Sequence, residues 1–317
     1  MHYLLNDLSI HGQFNSAADF IKSIDVLMSI RQVIRQTGRE LYCHRDLGSV
    51  KVTAGMRMPQ AIQEMPLEKR RPWMQWVTQF GPYWSEDREH SEDDYLELED
   101  GEIVTNFACG EAAFCISNGL GRELISISPS EWLKTPVVVR LVKKSDSLTI
   151  EVVNHWTSAT VATSLAKLPA AFDSWKSLEE CVHRTCPLLT FSQAAFESLK
   201  GHPYIHGAAE RILIRLQVLN KMRTCFDEEG NRTTEGHRIY TDHFTGEKAW
   251  FSDSSDSEKR DFESDLTFQN PSNPAQYLFC TWHGKVKTPQ LRIHFSWPIA
   301  KDTPLYVVYV GPKITKR

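Results

Sequence analysis

Five cationic or proton-transferring side chains lie close together near the C-terminus: His283, Lys285, Lys287, Arg292 and His294. Side chains alternate along a β-strand, so the first three share one face of a strand and the last two share one face of the next. If these two faces coincide, lysine and arginine can hold a phosphodiester while a histidine moves protons, without a metal ion. We therefore predict catalytic roles for His283, His294, Lys285 and Arg292.

The distribution of charge favours an anion-binding surface at this end of the chain. Residues 279–317 contain seven lysines and arginines and one acid, a formal charge of +6. The rest of the chain has 29 basic and 39 acidic residues, a formal charge of −10. A basic region on an otherwise acidic protein is typical of a surface that contacts nucleic acid, although the same alternation also occurs on the solvated face of a structural sheet. The predicted nucleic-acid-binding residues are Lys285, Lys287, Arg292, Arg211 and Arg215.

Hydrophobic periodicity and turn residues predict the elements that position these side chains. Three β-rich runs separated by Gly, Pro and Asp predict an antiparallel meander over residues 279–317. Helical spacing of apolar residues predicts helices over 16–36, with Ser16 as the N-cap, and over 192–200 and 208–222, and residues 238–240 have the composition of a short strand. The sequence predicts an α+β fold, with an N-terminal mixed α/β domain over residues 1–165. A C-terminal domain of helices followed by an antiparallel sheet is predicted over 166–317.

Acidic residues form a second concentration of charge. Residues 84–102 contain ten acids and one base, and residues 253–265 are also acid-rich, so both segments are predicted to be exposed loops. Glu97, Glu99 and Glu111 are also the kind of carboxylates that a metal-dependent nuclease places around Mg²⁺. No lysine follows them at the spacing of such nucleases. We therefore predict no metal site and no cofactor.

Several functional classes lack their sequence signatures. The seven cysteines include no Cys-x-x-Cys pair, which predicts reduced thiols rather than a zinc site. There is no phosphate-binding glycine loop, Rossmann fingerprint or Gly-x-Ser-x-Gly elbow, so a nucleotide-driven motor and an α/β-hydrolase are not expected. The sequence shows neither a signal-peptide pattern nor a run of about eighteen apolar residues. We expect a cytoplasmic protein without a membrane partner.

Two sets of residues carry a resemblance to known families. The helix predicted over 208–222, followed by strands that end in Arg-Ile-His-Phe and Leu-Tyr-Val-Val-Tyr-Val-Gly, resembles the layout of bacterial ribonuclease toxins of the RelE/ParE class. This resemblance covers at most residues 205–317. The segments at 79–84 and 281–285 resemble parts of uncharacterised bacterial proteins of mobile elements and defence islands. The first resemblance implies action on RNA, and the second implies a bacterial defence context.

We therefore expect a bacterial protein directed at nucleic acid, above all RNA. Its enzymatic form would be a metal-independent RNase-like effector of a toxin or anti-phage defence system. The alternative is a non-enzymatic interaction subunit of a larger defence or mobile-element complex, in which charged patches dock a protein partner encoded in the same operon. Nuclease activity of the isolated protein separates the two expectations.

Overall fold

The structure is a computed structural model that describes residues 1–86, 88–90, 94–142, 147–168, 172–246, 249–287 and 289–315. Its contacts divide the chain into two compact units, Met1–Ala171 and Phe172–Arg317, whereas the boundary predicted from the sequence lies between residues 165 and 166. Helices and strands occur in both units, so the predicted α+β class is confirmed. Within the described ranges, no helix is both long and apolar enough to cross a membrane.

The first unit combines a parallel sheet with a smaller antiparallel one. Its helices are α1 Ala17–Gln36, α2 Met58–Ala61, α3 Leu67–Met74, α4 Ala108–Ser117 and α5 Ser158–Leu165. Its strands are β1 His2–Leu5, β2 Leu41–Tyr42, β3 Tyr95–Leu98, β4 Arg122–Ile125, β5 Val137–Val142, β6 Ser147–Val152 and β7 Asn154–His155. Strands β2-β1-β4-β7 form the parallel sheet in that order, and β3-β5-β6 form the antiparallel sheet.

Two hydrophobic cores hold the first unit together. The predicted N-cap of α1 is confirmed, because the Ser16 hydroxyl accepts a hydrogen bond from the Asp19 amide at 3.1 Å. From there α1 buries an apolar stripe that packs with residues of the parallel sheet, among them Tyr3 and Ile125. The apolar helix α4 contacts strands of both sheets and forms the second core. This arrangement fixes the polar side chains that β4 and β7 carry.

The second unit is built around a five-stranded sheet. Its helices are α6 Trp175–Thr185, α7 His206–Met222, α8 Thr234–Phe244 and α9 Asp256–Asp261. Its strands are β8 Leu189–Phe191, β9 Phe251–Ser252, β10 Thr267–Asn270, β11 Asn273–Phe279, β12 His283–Val286, β13 Leu291–Phe295 and β14 Leu305–Pro312. The order in the sheet is β8-β14-β13-β12-β9, and β10 and β11 form a separate hairpin. Consecutive antiparallel pairing of β12, β13 and β14 confirms the predicted meander, to which β8 adds a parallel strand.

The two faces of the five-stranded sheet differ in character. One face carries buried apolar side chains such as Val286, Ile293 and Val310, and β12 on this sheet contacts α7. The residues that alternate with these along each strand, including Lys285 and Arg292, lie on the other face. The alternation read from the sequence therefore corresponds to one core face and one polar face.

Four local predictions from the sequence are wrong. The helix predicted over 192–200 contains only a short 3-10 turn at Glu197–Leu199, and the strand predicted at 238–240 lies inside α8, which Thr233 caps. The acidic segment 253–265 includes α9, which begins at a capping box formed by Ser255 and Glu258. The acidic segment 84–102 contains β3, which pairs with β5, although residues 87 and 91–93 lie outside the described part. Capping and strand pairing thus order segments whose composition alone is typical of loops.

Candidate anion-binding site

The meander brings the four predicted catalytic residues onto one face. His283 lies opposite His294, and Lys285 lies opposite Arg292, in the antiparallel pairing of β12 with β13. Residues that lie directly opposite each other project from the same face of a sheet. The condition stated for a shared site, that the two strand faces coincide, is therefore met. We call this group of four residues, His283, Lys285, Arg292 and His294, the basic face.

The two histidines form a close pair with fixed orientations. Their ring centroids are 5.3 Å apart. Nδ1 of His294 lies 3.0 Å from the carbonyl oxygen of Cys280, and Nδ1 of His283 lies 3.3 Å from that of Thr281. A carbonyl oxygen can only accept, so both Nδ1 atoms carry the proton and both Nε2 atoms are acceptors in the neutral rings.

Burial keeps both imidazoles neutral. Burial, followed by the nearby Arg292 guanidinium, lowers the pKa of His283 to about 4. Burial lowers the pKa of His294 to about 3, and that side chain is only 1% exposed. A histidine with so low a pKa is uncharged at neutral pH and cannot act as a general acid. The pair is consequently arranged to accept hydrogen bonds rather than to deliver protons.

The two cations of the basic face form no ion pair with a carboxylate of the described residues. Lys285 and Arg292 are each half-buried. Among the described residues Lys285 makes no side-chain hydrogen bond or ion pair, and Arg292 donates from Nη1 to its neighbouring Leu291 carbonyl at 2.9 Å while its buried Nε has no partner. Burial and the neighbouring cations Arg292, Lys287 and Arg215 lower the pKa of the Lys285 ammonium. Positive charge is thus held in a partly desolvated place without compensation from the described residues.

The carboxylate whose charge acts on this group is already bound to other residues. Glu258 on α9 accepts a hydrogen bond from Thr315 at 2.7 Å and forms an ion pair with Lys313 at 2.9 Å. Burial alone would raise the pKa of Glu258, but the hydrogen bonds from Lys313 and Thr315 outweigh it and lower that pKa to about 2. Glu258 therefore stays ionised, and its ion pair is with Lys313, while its charge acts on Arg292 only at longer range.

The other predicted nucleic-acid-binding residues occupy different places. Lys287 is exposed just beyond the end of β12. Arg211 and Arg215 on α7 are 5% and 2% exposed. The Arg215 guanidinium donates from Nε to the Lys285 carbonyl at 2.6 Å and stacks on the Trp250 ring, with its central carbon 4.6 Å from the ring centroid. Arg211 and Arg215 thus fasten the helix and are not available to an external phosphate.

Two of the three carboxylates considered for a metal site are engaged elsewhere, whereas Glu99 is exposed. Glu97 on β3 forms an ion pair with Arg140 on β5. Glu111 on α4 accepts hydrogen bonds from the Glu89 amide at 3.0 Å and from His90 Nδ1 at 2.5 Å. In the described ranges no group of three or more histidine, cysteine or acidic residues is placed to hold a metal ion, and all seven cysteines are free thiols. The structure gives these carboxylates roles in holding α4 and β3 in place.

The first unit contains a polar site that the sequence reasoning missed. Glu123 on β4 accepts hydrogen bonds from His155 Nε2 at 2.8 Å and from the Ser164 hydroxyl at 2.8 and 3.0 Å. These residues line a surface pocket of about 470 Å³ whose wall includes Thr160 and Lys167 on and after α5. Charged and polar side chains on the short parallel strands β4 and β7 were the available signal, because parallel strands are normally buried on both faces and apolar.

Comparison with known proteins yields no relative from which to transfer a function. No protein-family profile, no curated protein and no solved structure matches the chain. The geometry of the basic face therefore carries the functional argument alone.

Proposed function

We propose that this protein binds nucleic acid, with the basic face as the contact for backbone phosphates. One observation carries the proposal: two half-buried cations, Lys285 and Arg292, lie side by side without a carboxylate partner among the described residues. Like charges directly opposite each other on a sheet destabilise the fold. An external anion would remove that cost, and a local basic patch is the electrostatic footprint of nucleic-acid binding.

The geometry supports binding better than cleavage. Cleavage of RNA by two histidines requires a proton donor as well as a base. Because burial lowers the pKa of His283 to about 4 and that of His294 to about 3, neither ring is a donor near pH 7. An RNase-like effector built on this pair would need the bound phosphate to raise one of these pKa values. We therefore propose nucleic-acid binding as the function, and metal-independent RNA cleavage would require that rise in pKa.

Salt-dependent binding of a labelled oligonucleotide tests the proposal. A 12-nucleotide single strand is titrated with the full-length protein, and fluorescence anisotropy is recorded over a range of salt concentrations in EDTA. Loss of one phosphate contact in Arg292→Ala should flatten the slope of log K against log salt by about 0.7. The matched control is Arg238→Ala, which removes an exposed arginine from α8 of the same unit. Equal slopes for the wild type and Arg292→Ala would refute the phosphate contact.

The alternative function, an interaction subunit, is favoured by the outer strand of the hairpin. Strand β11 pairs only with β10 in the described sheets, and its sequence Asn-Pro-Ala-Gln-Tyr-Leu-Phe contains no charge. Tyr277 and Phe279 on it are 68% and 50% exposed. Proteins usually protect such an edge with charged residues. Arg260, Asp261 and Glu263 line the same groove as Tyr277, and Arg260 pairs with Asp261 at 3.3 Å. Glu263 supplies the remaining charge, so the partner that fits is a basic, strand-forming segment of another protein.

Hydrogen exchange distinguishes this alternative from nucleic-acid binding. A synthetic peptide of alternating lysine and valine is added to the full-length protein, and a glutamate–valine peptide of equal length serves as the control. Added-strand pairing should slow exchange of the β11 amides with the basic peptide only. Unchanged exchange with both peptides would remove the support for a docking edge, and it would leave the basic face unaffected.

A further inference from the structure

We propose that the basic face prefers RNA to DNA, because His283 offers a neutral hydrogen-bond acceptor beside two cations. This inference rests on the proposed nucleic-acid binding and adds the class of nucleic acid. His283, Lys285 and Arg292 project from the same face of adjacent strands. A ligand that satisfies all three must present an anion and a hydroxyl donor as neighbours.

Of the two histidines, His283 is the one that a ligand can reach. His294 is 1% exposed and its Nε2 is sealed from solvent, in contact with the rings of Phe268 and Tyr309 at centroid distances of 6.0 and 5.8 Å. His283 keeps 7% of its surface exposed, and its Nε2 makes no hydrogen bond in the part of the chain that is described. The Nδ1 proton of His283 is directed to the Thr281 carbonyl, so Nε2 presents a lone pair.

The neutral state of His283 decides which ligand group fits. A protonated imidazole would be a third donor and would suit any phosphate. Burial and Arg292 instead hold the pKa of His283 at about 4, so the ring stays an acceptor throughout the physiological range. An acceptor facing a ligand needs an O–H or N–H from that ligand, and a phosphodiester has none.

The ribose 2′-hydroxyl supplies the missing donor. In RNA this hydroxyl is on the carbon next to the one that bears the 3′-phosphate, so donor and anion are neighbours. DNA carries the same phosphate without the hydroxyl, and the 2′-hydroxyl is the group by which proteins distinguish the two polymers. Binding of DNA would leave His283 Nε2 facing the ligand without a partner. We expect a preference for RNA of about 5- to 10-fold, the size of one hydrogen bond.

The test compares three single strands of one sequence: RNA, DNA and 2′-O-methyl RNA. The methylated strand keeps the ribose shape and the 2′-oxygen but has no proton to donate. Binding to the full-length protein is measured by anisotropy in EDTA, with mass spectrometry to verify that the strands remain intact. RNA should bind about 5- to 10-fold more tightly than both other strands. Equal binding of all three strands would overturn the inference, yet it would leave the proposed function standing.

Variants of His283 test whether this side chain causes the preference for RNA over DNA. His283→Ala should reduce RNA binding to the level of DNA, whereas His283→Gln should retain the preference because its amide oxygen is an acceptor. His237→Ala, at an exposed position of α8, is the matched control and should change nothing. If His283→Ala does not fold, the comparison of RNA with 2′-O-methyl RNA in the wild type and in His283→Gln still decides the matter. Absence of binding to every strand would contradict the proposed function itself.

Discussion

Mild acid should destabilise the second unit through its two buried histidines. The pKa of His283 is lowered to about 4 and that of His294 to about 3, first of all by burial. In the unfolded chain an ordinary histidine has a pKa near 6.5. The unfolded state therefore binds more protons between pH 6.5 and 4, so the contribution of these groups to stability is present above pH 6.5 and is lost as the pH falls.

The size of the effect follows from the two pKa values. At pH 5 the folded rings are still neutral, and each unfolded histidine gains about 2 kcal/mol from protonation. The pair should therefore reduce the free energy of unfolding by about 4 kcal/mol between pH 7.5 and pH 5. Glu258 adds little in this window, since its pKa is lowered to about 2 and an unfolded glutamate titrates near 4.3.

Urea unfolding of the wild type and of His294→Asn at both pH values measures this contribution. Asparagine does not titrate, and its amide can still donate to the Cys280 carbonyl that His294 contacts at 3.0 Å. The variant should lose about 2 kcal/mol less than the wild type between pH 7.5 and pH 5, whatever its stability at pH 7.5. His237→Asn, at an exposed position of α8, controls for the loss of a histidine. Equal losses in the wild type and in His294→Asn would refute the neutral, buried state of His294.

Three further predictions address other charges. Lys285→Met should raise the free energy of unfolding at low salt by up to about 1 kcal/mol, since it removes a like-charge pair with Arg292; a lower urea midpoint would contradict this. Asp7→Asn should stabilise the first unit at pH 8 by at least about 1 kcal/mol and much less at pH 4, because burial raises the pKa of Asp7 to about 7 and its favourable protonated state is lost as the pH rises. Thermal unfolding at the two pH values measures that difference, and an equal effect of the substitution at both would contradict the raised pKa of Asp7. Glu123→Ala should cost about 2–4 kcal/mol in urea unfolding, because it leaves His155 and Ser164 without their shared acceptor; a neutral substitution would show that the network contributes nothing.

The sequence was sufficient for the parts of the fold that local chemistry determines. The alternation of His283 and Lys285 with Gly284 and Val286, and of Arg292 with Ile293, predicted both strands and the two faces of each. The N-cap of α1 was also predictable, since Ser16 precedes an apolar stripe at helical spacing. Composition failed where capping or pairing with distant strands decided the outcome, as in α8 and β3.

The sequence predicted which residues form the site but not which of them are buried, because burial depends on the whole fold. Alternation placed His294 on the basic face, but only the packing of Phe268 and Tyr309 against it shows that the ring is enclosed. Arg215 has the same charge as Lys285 in the sequence, yet its hydrogen bond to the Lys285 carbonyl places it inside the unit. The Glu123 site in the first unit joins residues about thirty to forty positions apart, and no local pattern connects them.

Chemical footprinting of lysines tests the central claim, that nucleic acid occupies the basic face, most directly. The full-length protein is acylated briefly with and without a single-stranded oligonucleotide, and the modified lysines are quantified by mass spectrometry. Lys285 has a lowered pKa and no ion-pair partner among the described residues, so it should react readily when free and be protected by the oligonucleotide. Lys176, which is exposed on α6 of the same unit, should react equally in both samples. Protection of Lys176 to the same extent, or no protection of Lys285 under conditions where the oligonucleotide binds, would contradict the account.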